Sequence, residues 1–126
     1  MPIQNPNDKK KKYDLEERTA VFGEAVLDFV KQLPVTVITR PLISQLVRSA
    51  TSVGANYMEA DAASTKKDFR HKISISKKEA KETTHWLRMI AKACPETGDT
   101  CRILWKEAHE LTLIFSAILN SKSSKD

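Results

Sequence analysis

Apolar residues recur along this chain at spacings of three and four, the period of an α-helix that buries one face. Four such segments follow one another, and short breaks containing proline or glycine separate them. No segment shows the strict alternation of apolar and polar residues that a half-buried β-strand requires. The pattern therefore predicts an all-α protein, with helices over about 14–33, 41–61, 65–94 and 99–120.

Residues that begin and end helices stand at the edges of these segments. Asp14 is followed three residues later by Glu17, and Thr65 is followed three residues later by Asp68. Both pairs resemble a capping box, in which the first side chain accepts a hydrogen bond from a free backbone N–H of the first turn. Pro34 cannot continue a helix, so it marks the end of the first one.

The arrangement of the apolar positions predicts how the helices pack. The second helix carries two adjacent seams of apolar and small residues, and the third has one seam with the alternating steps of a coiled coil. Short connections favour antiparallel neighbours, so we expect an antiparallel up-down-up-down four-helix bundle. The second and fourth helices have more apolar residues than one seam needs. We expect this excess to form the interface of a homo-oligomer.

Composition limits the cellular setting. The chain has 126 residues, of which 40% are hydrophobic and 29% are charged, as in an ordinary soluble domain. No apolar run approaches the roughly 20 residues of a membrane span, and no apolar segment follows the basic residues near the start as it would in a signal peptide. Two cysteines, Cys94 and Cys101, fit a reducing compartment. We expect a cytoplasmic protein that does not bind membranes.

The net charge of +5 is concentrated in one segment. Four lysines, Lys9–Lys12, against Asp8 give residues 1–12 a net charge of +3, and the rest of the chain carries +2. A short basic segment of this kind is typical of a disordered arm, although it could also contact phosphates. We predict a disordered basic arm over 1–12, the bundle over 13–121 and a frayed polar tail over 122–126.

The third helix is the most basic of the four, with nine basic and three acidic residues between positions 64 and 93. Six of the basic residues recur at steps of four and seven, which places them on one flank of a helix. They are Lys66, Arg70, Lys77, Lys81, Arg88 and Lys92. This flank could bind a polyanion such as RNA or DNA. Alternatively, it could pair with the acidic first helix, in the same subunit or in a neighbour.

Nothing in the sequence combines side chains into a catalytic or metal site. His71, His85 and His109 are scattered, and the three glycines are too isolated to form a phosphate-binding loop. Glu82 and His85 have the Glu-x-x-His spacing of di-metal bundles, but the second such pair is missing. We expect no enzyme activity, no metal and no cofactor, with Cys94 and Cys101 as small buried residues.

Polar residues on or near the apolar seams predict a structural polar core of Ser49, Asn56, Glu59 and Glu82. An unpaired amide at Asn56 would cost about 1–3 kcal/mol. We expect its partner to be Ser49, Ser52, Glu82 or a backbone carbonyl of a facing helix. Buried polar residues of this kind commonly fix register and oligomeric state, and we expect the glutamates to form caps or salt bridges.

The motifs QLVRSATSVGANYMEAD, STKKDF and ISISKKEAKETTHWL resemble the four-helix-bundle family of 23S rRNA-intervening-sequence proteins, over about 13–121. The matching positions are Gln45, Leu46, Arg48, Ser49, Ala50, Ser52, Val53, Asn56, Tyr57, Glu59, Ser64, Lys67, Asp68, Phe69, Glu82 and Leu87. The resemblance implies a bacterial all-α bundle that assembles as a ring, a homopentamer in known cases, without enzyme activity. A similar protein, the accessory protein of diversity-generating retroelements, binds nucleic acid and a reverse transcriptase.

The pattern and the resemblance together favour a non-catalytic, homo-oligomeric binding or scaffold protein. RNA or DNA is the expected ligand class, and the basic flank of the third helix is the expected site. The alternative is a protein–protein adaptor without a nucleic-acid ligand, which would use the acidic first helix and the rim of the oligomer.

Overall fold

The computed structural model describes residues 14–125, with side chains up to residue 121. Its four α-helices are α1 (Leu15–Val30), α2 (Thr39–Asp61), α3 (Lys66–Ala93) and α4 (Gly98–Lys125), and a 3₁₀ turn, Pro95–Thr97, precedes α4. No β-strand occurs in this part of the chain. The predicted all-α fold is therefore confirmed. The predicted arm over 1–12 lies outside the described residues, and the predicted fraying of 122–126 stays a prediction.

The helix starts agree with the capping signals. The Asp14 side chain accepts a hydrogen bond from the backbone N–H of Glu17, and the Thr65 hydroxyl accepts one from the N–H of Asp68. The end of α1 differs from the prediction, because the helix ends at Val30 rather than Leu33. Beyond the helix, the backbone N–H groups of Gln32 and Leu33 bond to carbonyls only three residues back, which tightens the chain before Pro34.

Consecutive helices lie side by side and run antiparallel, as the contacts along their lengths show. Between α1 and α2, Thr19 lies beside Gly54, and the earlier part of α2 at Thr51 meets the later part of α1 at Gly23. Between α3 and α4, Arg70 near the start of α3 reaches the carbonyl of Leu119 near the end of α4. This is the up-down-up-down arrangement that the sequence predicts.

One continuous apolar core fills the space between the helices. Its largest fully buried side chains come from all four helices, for example Phe22, Leu46, Ile73 and Phe115. Burying a side chain of this size stabilises the fold by about 1.5–3 kcal/mol each. The core therefore comes from the seams that the sequence pattern predicts, and the flanks of the helices remain for other contacts.

The first and third helices stand at opposite corners of the bundle. Each of the pairs α1–α2, α2–α3, α3–α4 and α1–α4 is in contact, but no described residue of α1 has its Cα within 8 Å of a Cα in α3. No ion pair joins the described residues of these two helices either, so the acidic first helix does not neutralise the basic third helix within one subunit. The predicted alternative of pairing inside the subunit is wrong, and pairing between neighbouring subunits stays a prediction.

Candidate nucleic-acid interface

The six predicted cations all lie on α3, but they differ in exposure. Lys66, Lys81, Arg88 and Lys92 are exposed, whereas Arg70 and Lys77 are half-buried. Four of the six, Lys77, Lys81, Arg88 and Lys92, form no ion pair with any residue between 14 and 121. These four residues, which we call the α3 basic stripe, are the cations that remain available to a polyanion.

Arg70 has a structural contact instead. Its Nη1 donates a hydrogen bond of 2.9 Å to the backbone carbonyl of Leu119, close to the end of α4. Arg70 therefore joins α3 to α4, and we do not count it in the stripe.

Two of the three acidic residues of α3, Glu79 and Glu82, face α2 and do not neutralise the stripe. Glu79 and Glu82 both accept hydrogen bonds from Arg48 of α2. On the other side of the bundle, Glu16, Glu17 and Glu24 of α1 form no ion pair with a described residue. The surface is thus polarised, with unpaired carboxylates on α1 and unpaired cations on α3.

An aromatic stack lies on α4 beside the stripe. Trp105 is 40% exposed, and its indole stacks on the imidazole of His109 with the ring centroids 5.0 Å apart and the planes 16° apart. Trp105 also lines a pocket of about 250 Å³ between α3 and α4, together with Arg88 and Arg102. The sequence pattern did not predict this stack. The i, i+4 spacing of Trp105 and His109 is the signal that could have indicated it.

Only part of the predicted polar core is buried. Ser49 is fully buried and accepts a 2.9 Å hydrogen bond from the Thr83 hydroxyl of α3, which in turn is buried. Asn56 is half-buried, and its Nδ2 donates to the carbonyl of Ser52 one turn earlier on the same helix, at 2.9 Å. The partner of Asn56 is therefore a backbone carbonyl of its own helix, not of a facing one.

Arg48 connects the two glutamates of α3. Its Nη1 lies 3.1 and 3.3 Å from the two carboxylate oxygens of Glu79, and its Nη2 donates to Glu82. The indole N–H of Trp86 also donates to Glu82, at 2.8 Å. This donor and then Arg48 hold the pKa of Glu82 below its ordinary value, against the opposing effect of burial. Glu79 is the most buried carboxylate in this group, although the predicted polar core did not include it.

Glu59 does not belong to the core, and this part of the prediction is wrong. Its side chain is 59% exposed and forms an ion pair of 2.6 Å with Lys72 of α3. Glu59 lies on the outer face of α2, where the nearby residues Ala55 and Met58 are also exposed. A carboxylate on that face keeps its hydration and needs only a surface partner, so it has a salt-bridging role as expected but not a buried one.

No arrangement for metal or thiol chemistry is found in the described residues. No group of three or more His, Cys, Asp or Glu side chains among them could hold a metal ion. Cys94 and Cys101 are buried free thiols, as expected, and burial raises the pKa of both. A raised pKa lowers the thiolate fraction, which is the reactive form. None of the helices between residues 14 and 125 is long and apolar enough to cross a membrane.

The ion pairs of Arg48 with Glu79 and Glu82, which we call the polar latch, join α2 to α3. The fold and the site thus define a class of protein: a small antiparallel four-helix bundle with this latch and an unpaired basic flank on α3. The chain belongs to the 23S rRNA-intervening sequence protein family, whose sequence model matches residues 11–117. This confirms the resemblance found in the motifs of α2 and α3.

A crystal structure of a similar protein agrees with this assignment. It is a protein with unknown function from the S23 ribosomal protein family of Bacteroides thetaiotaomicron VPI-5482. The two chains share 26% sequence identity and superpose with a TM-score of 0.73, over 82% of this chain and 96% of the other. No curated protein matches this chain at a significant level.

Proposed function

We propose that this protein is a non-catalytic, homo-oligomeric nucleic-acid-binding protein that contacts RNA or DNA through the α3 basic stripe. The observation that carries the proposal is the absence of partners for Lys77, Lys81, Arg88 and Lys92 within residues 14–121. Cations that no carboxylate neutralises are free to replace the counterions of a phosphate backbone. The stripe spans 16 positions of one helix, about 23 Å at 1.5 Å per residue.

The separation of charge on the bundle also supports this function. Because α1 and α3 stand at opposite corners, the unpaired carboxylates of α1 lie away from the stripe. A polyanion that approaches α3 is therefore attracted by the stripe without strong repulsion from α1. An electric field that is polarised in this way raises the rate at which charged ligands associate, and this effect decreases at high salt because ions screen the field.

The test is fluorescence anisotropy of a labelled RNA against nucleic-acid-free protein across a salt series. The charge-reversal variant Lys77→Glu, Lys81→Glu and Arg88→Glu should lose binding, and the parent protein should bind less tightly as salt rises. The matched comparison is between two double variants, Lys81→Glu with Arg88→Glu on the stripe and Lys31→Glu with Arg40→Glu away from α3 and α4, so that the net charge changes equally. Equal losses in the two variants would indicate only a net-charge effect and would overturn the proposal.

The same samples also test whether the stripe is structural. Their masses in solution should be equal, because the proposal gives the stripe no part in assembly. If the α3 variant alone dissociates, the stripe pairs with a neighbouring subunit, and the ligand would have to be sought elsewhere.

A protein-binding adaptor is the second candidate, and Glu16, Glu17 and Glu24 favour it. These carboxylates lie along a groove between α1 and α2 that Leu27 and Met58 also line. A partner with basic and apolar residues would fit such a surface, and it would not need the α3 stripe. The salt series separates the two candidates, because an adaptor without a nucleic-acid ligand binds no RNA even at low salt.

A further inference from the structure

We infer that the groove between α3 and α4 binds single-stranded nucleic acid, with one unpaired base stacking on Trp105 while the α3 basic stripe contacts the phosphates. This inference rests on the proposed function and narrows its ligand from nucleic acid in general to an unpaired strand. It depends on three features of the groove: the position of the aromatic stack, the cations around it and the size of the pocket.

The first feature is an exposed aromatic ring that already has a fixed position. Most large aromatic side chains of the chain are buried or half-buried, but Trp105 is 40% exposed. His109 stacks on it at 5.0 Å and does not line the pocket, whereas Trp105 does. The indole therefore lies between the imidazole and the pocket, and a base entering the pocket meets a ring whose orientation is already restricted. Every base has a π-face, so stacking of this kind tolerates different sequences.

The second feature is the cations that surround the ring. Arg88 of the stripe and Arg102 of α4 line the same pocket as Trp105. Arg102 has an ion pair with Asp99 at 3.1 Å, but both side chains are strongly exposed, and a surface pair of this kind is weak and easily exchanged. Lys81 and Lys92 lie on the same flank of α3 as Arg88, before and after it. A strand whose base enters the pocket would therefore have cations beside its backbone in both directions.

The third feature is the size of the pocket. Its volume is about 250 Å³, which is smaller than the roughly 300–1,000 Å³ of sites that enclose a whole small molecule or cofactor. A shallow site of this size suits one flat group with the rest of the ligand outside. A base can enter only if it is unstacked and unpaired, which is the usual state in single-stranded segments and loops. A duplex would present its phosphates to the stripe but no base to Trp105.

The experiment compares two probes, a short labelled single-stranded RNA and the same strand annealed to its complement. Trp105→Ala should weaken binding of the single strand by roughly 5- to 100-fold, as loss of one base–aromatic stack does. Binding of the duplex should not change. Trp105→Phe should retain most of the affinity because phenylalanine keeps a π-face. Met58→Ala, which removes an exposed apolar side chain from α2 outside the pocket, is the matched control and should behave as the parent.

The salt dependence gives a second readout. Trp105→Ala removes no phosphate contact, so the slope of log affinity against log salt should stay that of the parent. Equal weakening of both probes, or no weakening of the single strand, would overturn the inference. If Trp105→Ala has no effect but the α3 charge-reversal variant loses binding, only this inference fails. A parent protein that binds neither probe at low salt overturns the proposed function as well. Thermal unfolding of each variant shows that the fold is retained.

Discussion

The guanidinium of Arg48 on α2 contacts both carboxylate oxygens of Glu79 on α3, at 3.1 and 3.3 Å. Glu79 is almost buried, so Arg48 is the group that compensates its lost hydration. The second nitrogen of Arg48 also reaches Glu82, and the contact thus joins two successive turns of α3 to α2. A planar guanidinium can serve two carboxylates in this way, whereas a lysine ammonium cannot match the geometry.

Replacement of Arg48 should therefore destabilise the bundle. Arg48→Ala leaves the Glu79 carboxylate buried without its partner, and we expect a loss of about 1–3 kcal/mol, the usual cost of a buried polar group that lacks its hydrogen bonds. This is below the roughly 3–5 kcal/mol of a fully buried pair, because Arg48 is 44% exposed. Arg48→Lys should recover only part of the loss. Urea unfolding measures the difference, and Arg40→Ala, on the exposed start of α2, is the control. Equal stability of Arg48→Ala and Arg40→Ala would contradict the latch.

The pKa of Glu82 predicts how the latch depends on pH. The indole N–H of Trp86 and then Arg48 lower the pKa of Glu82 in the folded state below the ordinary value of 4.5. When the pKa of a carboxyl group is lower in the folded state than in the unfolded state, its ionised form stabilises the fold. This stabilisation is complete above the pKa of the unfolded state and is lost as the pH falls to the pKa of the folded state. The contribution of Glu82 is therefore complete near pH 7 and begins to fall below about pH 4.5.

Trp86→Phe tests this dependence because it removes the N–H that lowers the pKa of Glu82 most. The variant should be less stable than the parent near neutral pH, and the difference in unfolding free energy should shrink as the pH falls below 4.5. A difference that stays constant down to acid pH would mean that the mutation acts through packing alone. The measurement is urea unfolding at a series of pH values, which also shows whether two-state unfolding persists.

Two glycines in the middle of helices should respond in opposite ways to alanine. A Cβ at Gly23 of α1 would meet its nearest neighbours at 3.8 Å, an ordinary contact, so Gly23→Ala should stabilise the protein by about 0.5–1 kcal/mol through helix propensity. A Cβ at Gly54 of α2 would lie 3.1 Å from the hydroxyl of Thr19.

The Thr19 hydroxyl cannot easily move, because it donates hydrogen bonds to the carbonyls of Leu15 and Glu16. Gly54→Ala should therefore lose the propensity gain or become destabilising. Thermal unfolding of both variants against the parent gives the comparison. Equal stabilisation by the two substitutions would show that α1 and α2 can separate slightly at Gly54, and the close approach would then have no energetic importance.

These contacts show which features the sequence could predict. The helix period placed α2 and α3 within two residues of their observed starts, since burial of one face determines that pattern. The period cannot tell which helices meet, and so it could not pair Arg48 with Glu79. The predicted topology already implied that α1 and α3 stand at opposite corners, and this geometric consequence excludes charge pairing within the subunit.

The candidate site was predictable only in part for a similar reason. A step of four and seven placed Lys77, Lys81 and Arg88 on one flank, and this needs no tertiary information. The same spacing also included Arg70, which bonds to Leu119 and is not part of the stripe. That bond depends on how α4 lies against α3, which the spacing within one helix cannot show. The groove at Trp105 also needs both helices, so neither helix pattern alone could indicate it. The prediction for Glu59 was wrong because neighbouring positions of α2 lie on different faces: Ala60 is buried, whereas Glu59 is exposed.

The last prediction concerns self-association, which we propose to occur through the side of the bundle that α1 and α4 form, where Arg18 of α1 pairs with Glu107 and Glu110 of α4. Ile103 and Leu113 of α4 are 68% and 55% exposed, and Val21 of α1 lies on the same side, beside Ile103 at a shared pocket. A groove of about 580 Å³, lined mostly by apolar side chains that include Leu113, lies further along α4, beyond the ion pairs of Arg18 with Glu107 and Glu110. Exposed apolar areas of this kind commonly mark a subunit interface, and the charged pairs between them would lie within it.

The double variant Ile103→Glu, Leu113→Glu should therefore dissociate the oligomer, because each new carboxylate would have to lose its hydration in the interface. Both side chains point to solvent in the subunit, so the helical content should not change. Light scattering after size exclusion measures the mass of the parent and the variant, each against the 14.2 kDa of one chain. Glu substitution of Met58 and Val37, two exposed apolar residues on other faces, is the control. A monomeric parent, or dissociation by the control alone, would refute this interface.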